Sequence, residues 1–173
     1  VVSRETLAFV LEHEDEHPDQ PWFVCASYGR PHSPFTAPGR YIRKARGRVP
    51  PPDPGLGDPE ELEPNARYRR DRFRNTEMPE ETVRRGREGY YACIDFVDDC
   101  IGELLDGLDR AGALEDTIVI YVSDHGEMAG LHGLWAKTLY YEPSMGIPLT
   151  ITGPGVRAGG YVVDDPISIM DLF

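Results

Sequence analysis

The densest concentration of reactive side chains is the run SDHGEMAGLHGLWAK, Ser123 to Lys137. Asp124 offers a hard carboxylate oxygen and His125 an imidazole nitrogen, and Gly126 lets the backbone turn so that both can reach one cation. Two ligands do not complete a coordination sphere, and an Asp capping a turn beside a satisfied polar His is the plain alternative. The run's position favours the metal reading, because it directly follows an apolar strand pattern and ligands of α/β sheets gather at the carboxyl ends of strands. Lys137 is one of only two lysines in the chain, with Lys44. A compact ammonium beside a cation makes a pocket for a tetrahedral oxyanion, whereas a surface position is its bland reading. Glu127 and His132 are weaker candidates, either pocket residues or ordinary loop positions; His132 is carried as a substrate-binding candidate.

A second candidate is His32, in Tyr28-Gly29-Arg30-Pro31-His32-Ser33-Pro34-Phe35. Proline restricts the residue before it, so this segment is expected to hold His32 in a fixed extended geometry.

These residues need elements to hold them. Thr6 to Glu16 has helix-forming composition, and Trp22 to Ser27 is a short apolar run of buried-strand type. From Gly29 to Pro79 the chain is rich in proline and arginine and reads as one long irregular excursion, including Pro50-Pro51-Pro52-Asp53-Pro54-Gly55. Beyond it, Tyr90, Ile94, Val97, Ile101, Leu104, Leu105 and Leu108 fall in steps that mark one face of a helix. Asp95, Asp98, Asp99, Glu103 and Asp106 mostly take the other face, where a solvated surface is the simpler account and metal ligation the sharper one. Gly112 suits the helix end, the β-branched run Thr117 to Val122 comes next, and Ile147 to Thr152 is a third strand. This alternation predicts an α/β fold with a mainly parallel central sheet flanked by helices.

The chain has 173 residues, 40% hydrophobic and 28% charged, enough for one core. A net charge of -12 argues against nucleic acid as a partner, so an anionic substrate would need a local positive site. No apolar run is long enough to be a membrane span, and localisation stays open. Cys25, Cys93 and Cys100 are odd in number and lack C-x-x-C spacing, which suggests neither a disulfide framework nor a zinc knuckle. The first residue is Val, and Ile169 to Phe173 reads as the opening of an apolar helix, so residues 1–173 are expected to be part of a single catalytic domain, truncated at both ends.

Taken in order, these motifs resemble the sulfatase family of the alkaline phosphatase superfamily, with its choline-sulfatase-like and phosphonate monoester hydrolase relatives. Ser123 to Lys137, continued by Tyr140-Tyr141-Glu142-Pro143-Ser144 and Ile147-Pro148-Leu149, is similar to the family's S-D-H/N-G segment and its downstream continuation; Arg30 to Phe35 is similar to its P-H-x-P-F element. The resemblance covers nearly everything outside the proline-rich excursion. It implies an alkaline phosphatase-like fold, Asp124 and His125 as metal ligands, and Lys137 and His32 as catalytic residues that bind the sulfate or phosphate oxygens and assist the leaving oxygen. It further implies a divalent cation, calcium first with manganese or zinc open, and a formylglycine nucleophile made from the cysteine or serine of a C/S-x-P-x-R motif. None of the three cysteines starts such a motif, and the chain alone is expected to be inactive. Gly146 stands where many relatives carry an arginine.

The implied activity is hydrolysis of a small-molecule or carbohydrate sulfate ester by the intact protein. A phosphonate or phosphate monoester hydrolase of the same superfamily is the near alternative. A non-catalytic remnant binding an anion or a partner is the alternative of another class.

Overall fold

A computed structural model describes residues 1–52, 62–73, 77–157 and 159–172. Its organising element is helix α4, Glu80–Arg110, the longest in the chain among the described residues. No proline interrupts the sequence between Pro79 and Pro143, so nothing there removes a helical N–H. Glu80 and Glu81 in the first turn and Arg110 in the last complement the helix dipole. Gly112, at φ 77°, stops it: the Gly112 N–H donates to the Asp109 carbonyl and the Ala113 N–H to that of Leu108, a Schellman closure. Ala113 then packs in the same cluster as Leu108, which completes the motif's hydrophobic contact.

Three other helices lie on α4 or beside the loops it carries. Helix α1, Val2–Glu16, buries Val10 against Leu104 and Leu108, and Gly107 lets Leu7 approach its Cα closely. Helix α2, Gly39–Ala45, packs Tyr41 and Ala45 on Ala92. The Tyr41 hydroxyl donates to Asp99 Oδ2 at 2.7 Å and Lys44 pairs with Asp95 at 3.0 Å. Burial first, and the bond to the Asp99 carboxylate second, push the Tyr41 phenol up from its ordinary value. Helix α3, Pro64–Arg72, is capped by the Glu63 carboxylate, which accepts from the Asn65 and Ala66 N–H groups. Its buried Ala66, with Leu62, meets Met128, Leu134 and Leu139. The expected irregular excursion is thus corrected: α2 and α3 sit within it, started at Pro38 and Pro64 and built from helix-compatible arginine and alanine. Of the Pro50 to Gly55 run, positions from 53 on lie outside the described residues.

Strand β1, Val119–Val122, pairs with β2, Leu149–Thr152, and the pairing is antiparallel, Val119 opposite Thr152 and Val122 opposite Leu149. The expectation of parallel neighbours fails for this pair. A parallel partner needs a crossover covering one sheet face, whereas residues 123–148 hold only a 3-10 turn at Leu131–Gly133 and the four-residue helix α5, Glu142–Met145. The strand expected over Trp22 to Ser27 does not form: the run has no regular secondary structure and pairs with no strand among the described residues, although Trp22, Val24 and Ala26 pack toward α1 and α4. A short 3-10 turn, Ile169–Leu172, stands near the carboxyl end.

The α1–α4 contact should contribute measurably to stability. Leu104→Ala, at a position 9% exposed, should lower the unfolding free energy by about 2–5 kcal/mol in urea titrations, whereas Ile94→Ala, 38% exposed, should cost less than about 1 kcal/mol.

Candidate active site

The chain leaving β1 is tied down at once. Ser123 Oγ donates to the His125 carbonyl at 2.9 Å, and the Gly126 N–H donates to the Ser144 carbonyl at 2.9 Å. Gly126 lies so close to the Pro143 carbonyl that no Cβ fits. These ties present Asp124 and His125 together. His125 Nδ1 lies 2.8 Å from the Gly126 carbonyl, which can only accept, so that nitrogen carries the proton and Nε2 of the neutral ring is bare. Nε2 stands 3.6 Å from Asp124 Oδ2. The pair is open to solvent, so water can bridge it, and its nitrogen–oxygen combination suits a divalent ion that accepts mixed ligands. The described residues hold no group of three or more His, Cys, Asp or Glu able to complete such a site. Of the α4 carboxylates, Asp95 and Asp99 are engaged by Lys44 and Tyr41 on α2.

His32 is held from the opposite side. Residues 30–34 form a turn and bends rather than an extended stretch, spanned by Arg30, whose guanidinium donates to the His32 carbonyl at 3.0 Å and to Thr36 Oγ1 at 2.9 Å. His32 Nδ1 is 2.8 Å from the Ser33 carbonyl, so it too carries the proton and leaves Nε2 to accept. Lys137 Nζ donates to it at 2.5 Å. The His32 and His125 rings meet edge to face with centroids 6.3 Å apart. Asp124, His125, His32 and Lys137 therefore form one cluster from segments far apart in sequence. His132 sits elsewhere: at φ 54° in its 3-10 turn, it stacks on Tyr141 with centroids 5.3 Å apart.

The loop between the two halves of the cluster is closed by its own groups. Glu127 Oε1 accepts from the Ala129 N–H at 3.1 Å and the Ala136 N–H at 2.5 Å, and the Met128 N–H donates to the Ala136 carbonyl at 3.0 Å. Ala129, Ala136 and Thr138 have φ of 47°, 68° and 72°. Each costs on the order of 1–3 kcal/mol in that region, the β-branched Thr138 most plainly, so the surrounding contacts must over-determine the loop.

Helix α4 seats both segments on one face. A Cβ on Gly86 would come 2.7 Å from the Trp135 ring, and one on Gly89 would come 2.6 Å from the Phe35 carbonyl oxygen. Phe35 then packs edge-on against Tyr90 at 5.4 Å and lies 6.0 Å from Trp135, tying the His32 segment to the Lys137 segment. Arg87, between the glycines, donates to the Ala129 carbonyl at 2.7 Å and the Pro50 carbonyl at 3.0 Å. Burial, helped by the Glu127 charge, raises the Tyr90 phenol above its ordinary value. Sequence reasoning misses Gly86, Gly89, Arg87 and the anchoring role of Glu127. The G-x-x-G spacing on a helix rich in long side chains is the signal that could have found the glycines.

A family profile described as Sulfatase spans residues 2–173. The chain belongs to the sulfatase family. Its relatives include the choline-sulfatase of Rhizobium meliloti, 32% identical over 99% of this chain and 34% of that protein, and the arylsulfatase of Clostridium perfringens, 31% identical over 99% of this chain and 36% of that protein. Among solved structures, the phosphonate monoester hydrolase of Agrobacterium radiobacter matches with a TM-score of 0.71 and 26% identity, over 88% of this chain and 32% of the other. The fold is thus that of sulfatase and alkaline phosphatase-like proteins, and the chain spans about a third of the length of the relatives it matches.

The two kinds of glycine on α4 should respond with opposite signs. Gly89→Ala must displace the Phe35 backbone and should destabilise this sulfatase-family chain by about 1–3 kcal/mol. Gly102→Ala, in the same helix with nothing within 4 Å of its Cβ position, should stabilise it by about 0.5–1 kcal/mol, both read from chemical denaturation.

Proposed function

We propose that this chain supplies the leaving-group side of a sulfuric ester hydrolase site in the intact protein. The observation that carries the proposal is the Lys137 Nζ to His32 Nε2 hydrogen bond of 2.5 Å, set beside the Asp124–His125 pair. In this reading Asp124 and His125 contribute to holding a divalent cation, calcium in the first instance, with manganese or zinc admitted by the imidazole ligand. When bound, that ion supplies positive charge to the sulfuryl oxygens.

The remaining work belongs to the chain's own residues. Lys137 presents a compact positive charge whose direction is set by His32, and His32 is itself oriented by the Ser33 carbonyl. A leaving alkoxide placed against the pair would accept from a Lys137 N–H not engaged by His32, and that proton can pass to it while His32 keeps the lysine in place. His132, on Tyr141, is a pocket-wall position at most. The nucleophile would be the family's formylglycine, for which these 173 residues contain no C/S-x-P-x-R motif.

The substrate class proposed is a small-molecule or carbohydrate sulfate ester. A phosphonate or phosphate monoester is a second reading, favoured by the fold shared with the phosphonate monoester hydrolase. In the complete catalytic domain β1, β2 and Trp22 to Ser27 would belong to a larger, mainly parallel sheet. The exposed apolar side chains of Phe23, Ile118, Ile120 and Ile151 support this.

In a full-length sulfatase containing this sequence, Lys137→Ala should lower kcat by about 10²- to 10³-fold with a smaller effect on KM. His32→Ala should cost more on alkyl sulfates, whose leaving oxygen needs a proton, than on activated aryl sulfates. Folded, cation-loaded variants within a few-fold of the parent on both substrates would reject the assignment.

A further inference from the structure

We infer that Arg69 and Asn65 of helix α3 are positioning residues that hold Lys137 in place by keeping its neighbour Thr138 in the left-handed region. The inference rests on the proposed role of Lys137 and deepens it. Lys137 lies between two non-glycine residues at positive φ, Ala136 at 68° and Thr138 at 72°. A β-branched residue does not stay there unaided, because its Cβ crowds the backbone. Ala136 is fixed from within the loop by Glu127. Thr138 is fixed from outside it: Arg69 Nη1 donates to Thr138 Oγ1 at 2.5 Å, and Asn65 Nδ2 donates to the Thr138 carbonyl at 3.3 Å. Both donors come from α3, whose Ala66, together with Leu62 just before the helix, is buried against Met128, Leu134 and Leu139 around the strained stretch.

The geometry thus gives part of the proline- and arginine-rich excursion a definite task. If α3 lets go, Thr138 relaxes toward negative φ, the peptide planes on both sides of it rotate, and the Lys137 side chain leaves His32. Neither donor has to touch substrate for its loss to be felt, since displacements of about 1 Å in a preorganised group can cost up to about 10²-fold in rate.

The test combines a conformational signal with a rescue. In protein labelled with 13C at threonine, the Cα and Cβ shifts of Thr138 report its backbone region. They should carry the left-handed signature in the parent and lose it in Arg69→Met, with Asn65→Ala moving them in the same direction. In the full-length sulfatase, Arg69→Met should lower kcat about 10- to 10²-fold with KM little changed. Adding Thr138→Gly, which adopts positive φ without strain, should bring kcat back to within a few-fold of the parent. An Arg69 that bound substrate would not be rescued in this way. An unchanged Thr138 signature in both α3 variants overturns the inference. So does a lost signature with full kcat, or a failed rescue, in an enzyme where Lys137→Ala is defective. If Lys137→Ala has no effect, the proposed site fails, and the Thr138 signature alone then decides whether α3 is the brace.

Discussion

Helix α4 has to touch two loops at once, and Gly86 and Gly89 are where its backbone is bare enough to do so. At Gly86 the Trp135 ring lies on the helix; at Gly89 the Phe35 carbonyl does. Trp135 stands two residues from Lys137 and Phe35 three from His32, so the close approach of both to one helix face brings the two reactive nitrogens within 2.5 Å. The cluster therefore depends less on any local property of the histidine or the lysine than on steric vacancies a turn apart on a third element.

Holding the loops against the helix is not sufficient, because the segment carrying Lys137 is strained. Ala129, Ala136 and Thr138 all occupy a backbone region that glycine would fill without cost, and each is hydrogen-bonded to a charged or amide side chain nearby: Arg87 donates to Ala129, Glu127 accepts from Ala136, and Arg69 and Asn65 donate to Thr138. The consistent pattern is a loop whose conformation is imposed by surrounding side chains. Such over-determination is what a preorganised electrostatic site requires, since a lysine free to sample other rotamers would have to be ordered at each turnover.

Much of this is legible in the sequence, and the failures have physical causes. The apolar period from Tyr90 to Leu108 marks α4 because amphipathic packing is written in spacing, although the helix begins ten residues earlier at Glu80 in a polar stretch that carries no period. Asp124, His125, His32 and Lys137 stand out by residue type and by position after an extended run, and they do converge. His132 stands out by type alone, and its left-handed backbone turns it toward Tyr141 instead. The antiparallel pairing of β1 with β2 is hidden because strand direction depends on the path of the connection, which residues 123–148 do not reveal through composition. Helices α2 and α3 are hidden because proline density reads as irregularity, when two of those prolines mark helix starts.

At the centre of the proposed site, His32 accepts at Nε2 and aims the Lys137 ammonium. A long-range proton–nitrogen correlation spectrum of the His32 ring, taken near pH 8 where an ordinary histidine is neutral, addresses this directly. The spectrum should show a protonated Nδ1, a bare Nε2, and an Nε2 resonance that moves when Lys137 is replaced by Ala. A proton found on Nε2, or an Nε2 resonance indifferent to the loss of Lys137, would mean that the histidine does not aim the lysine.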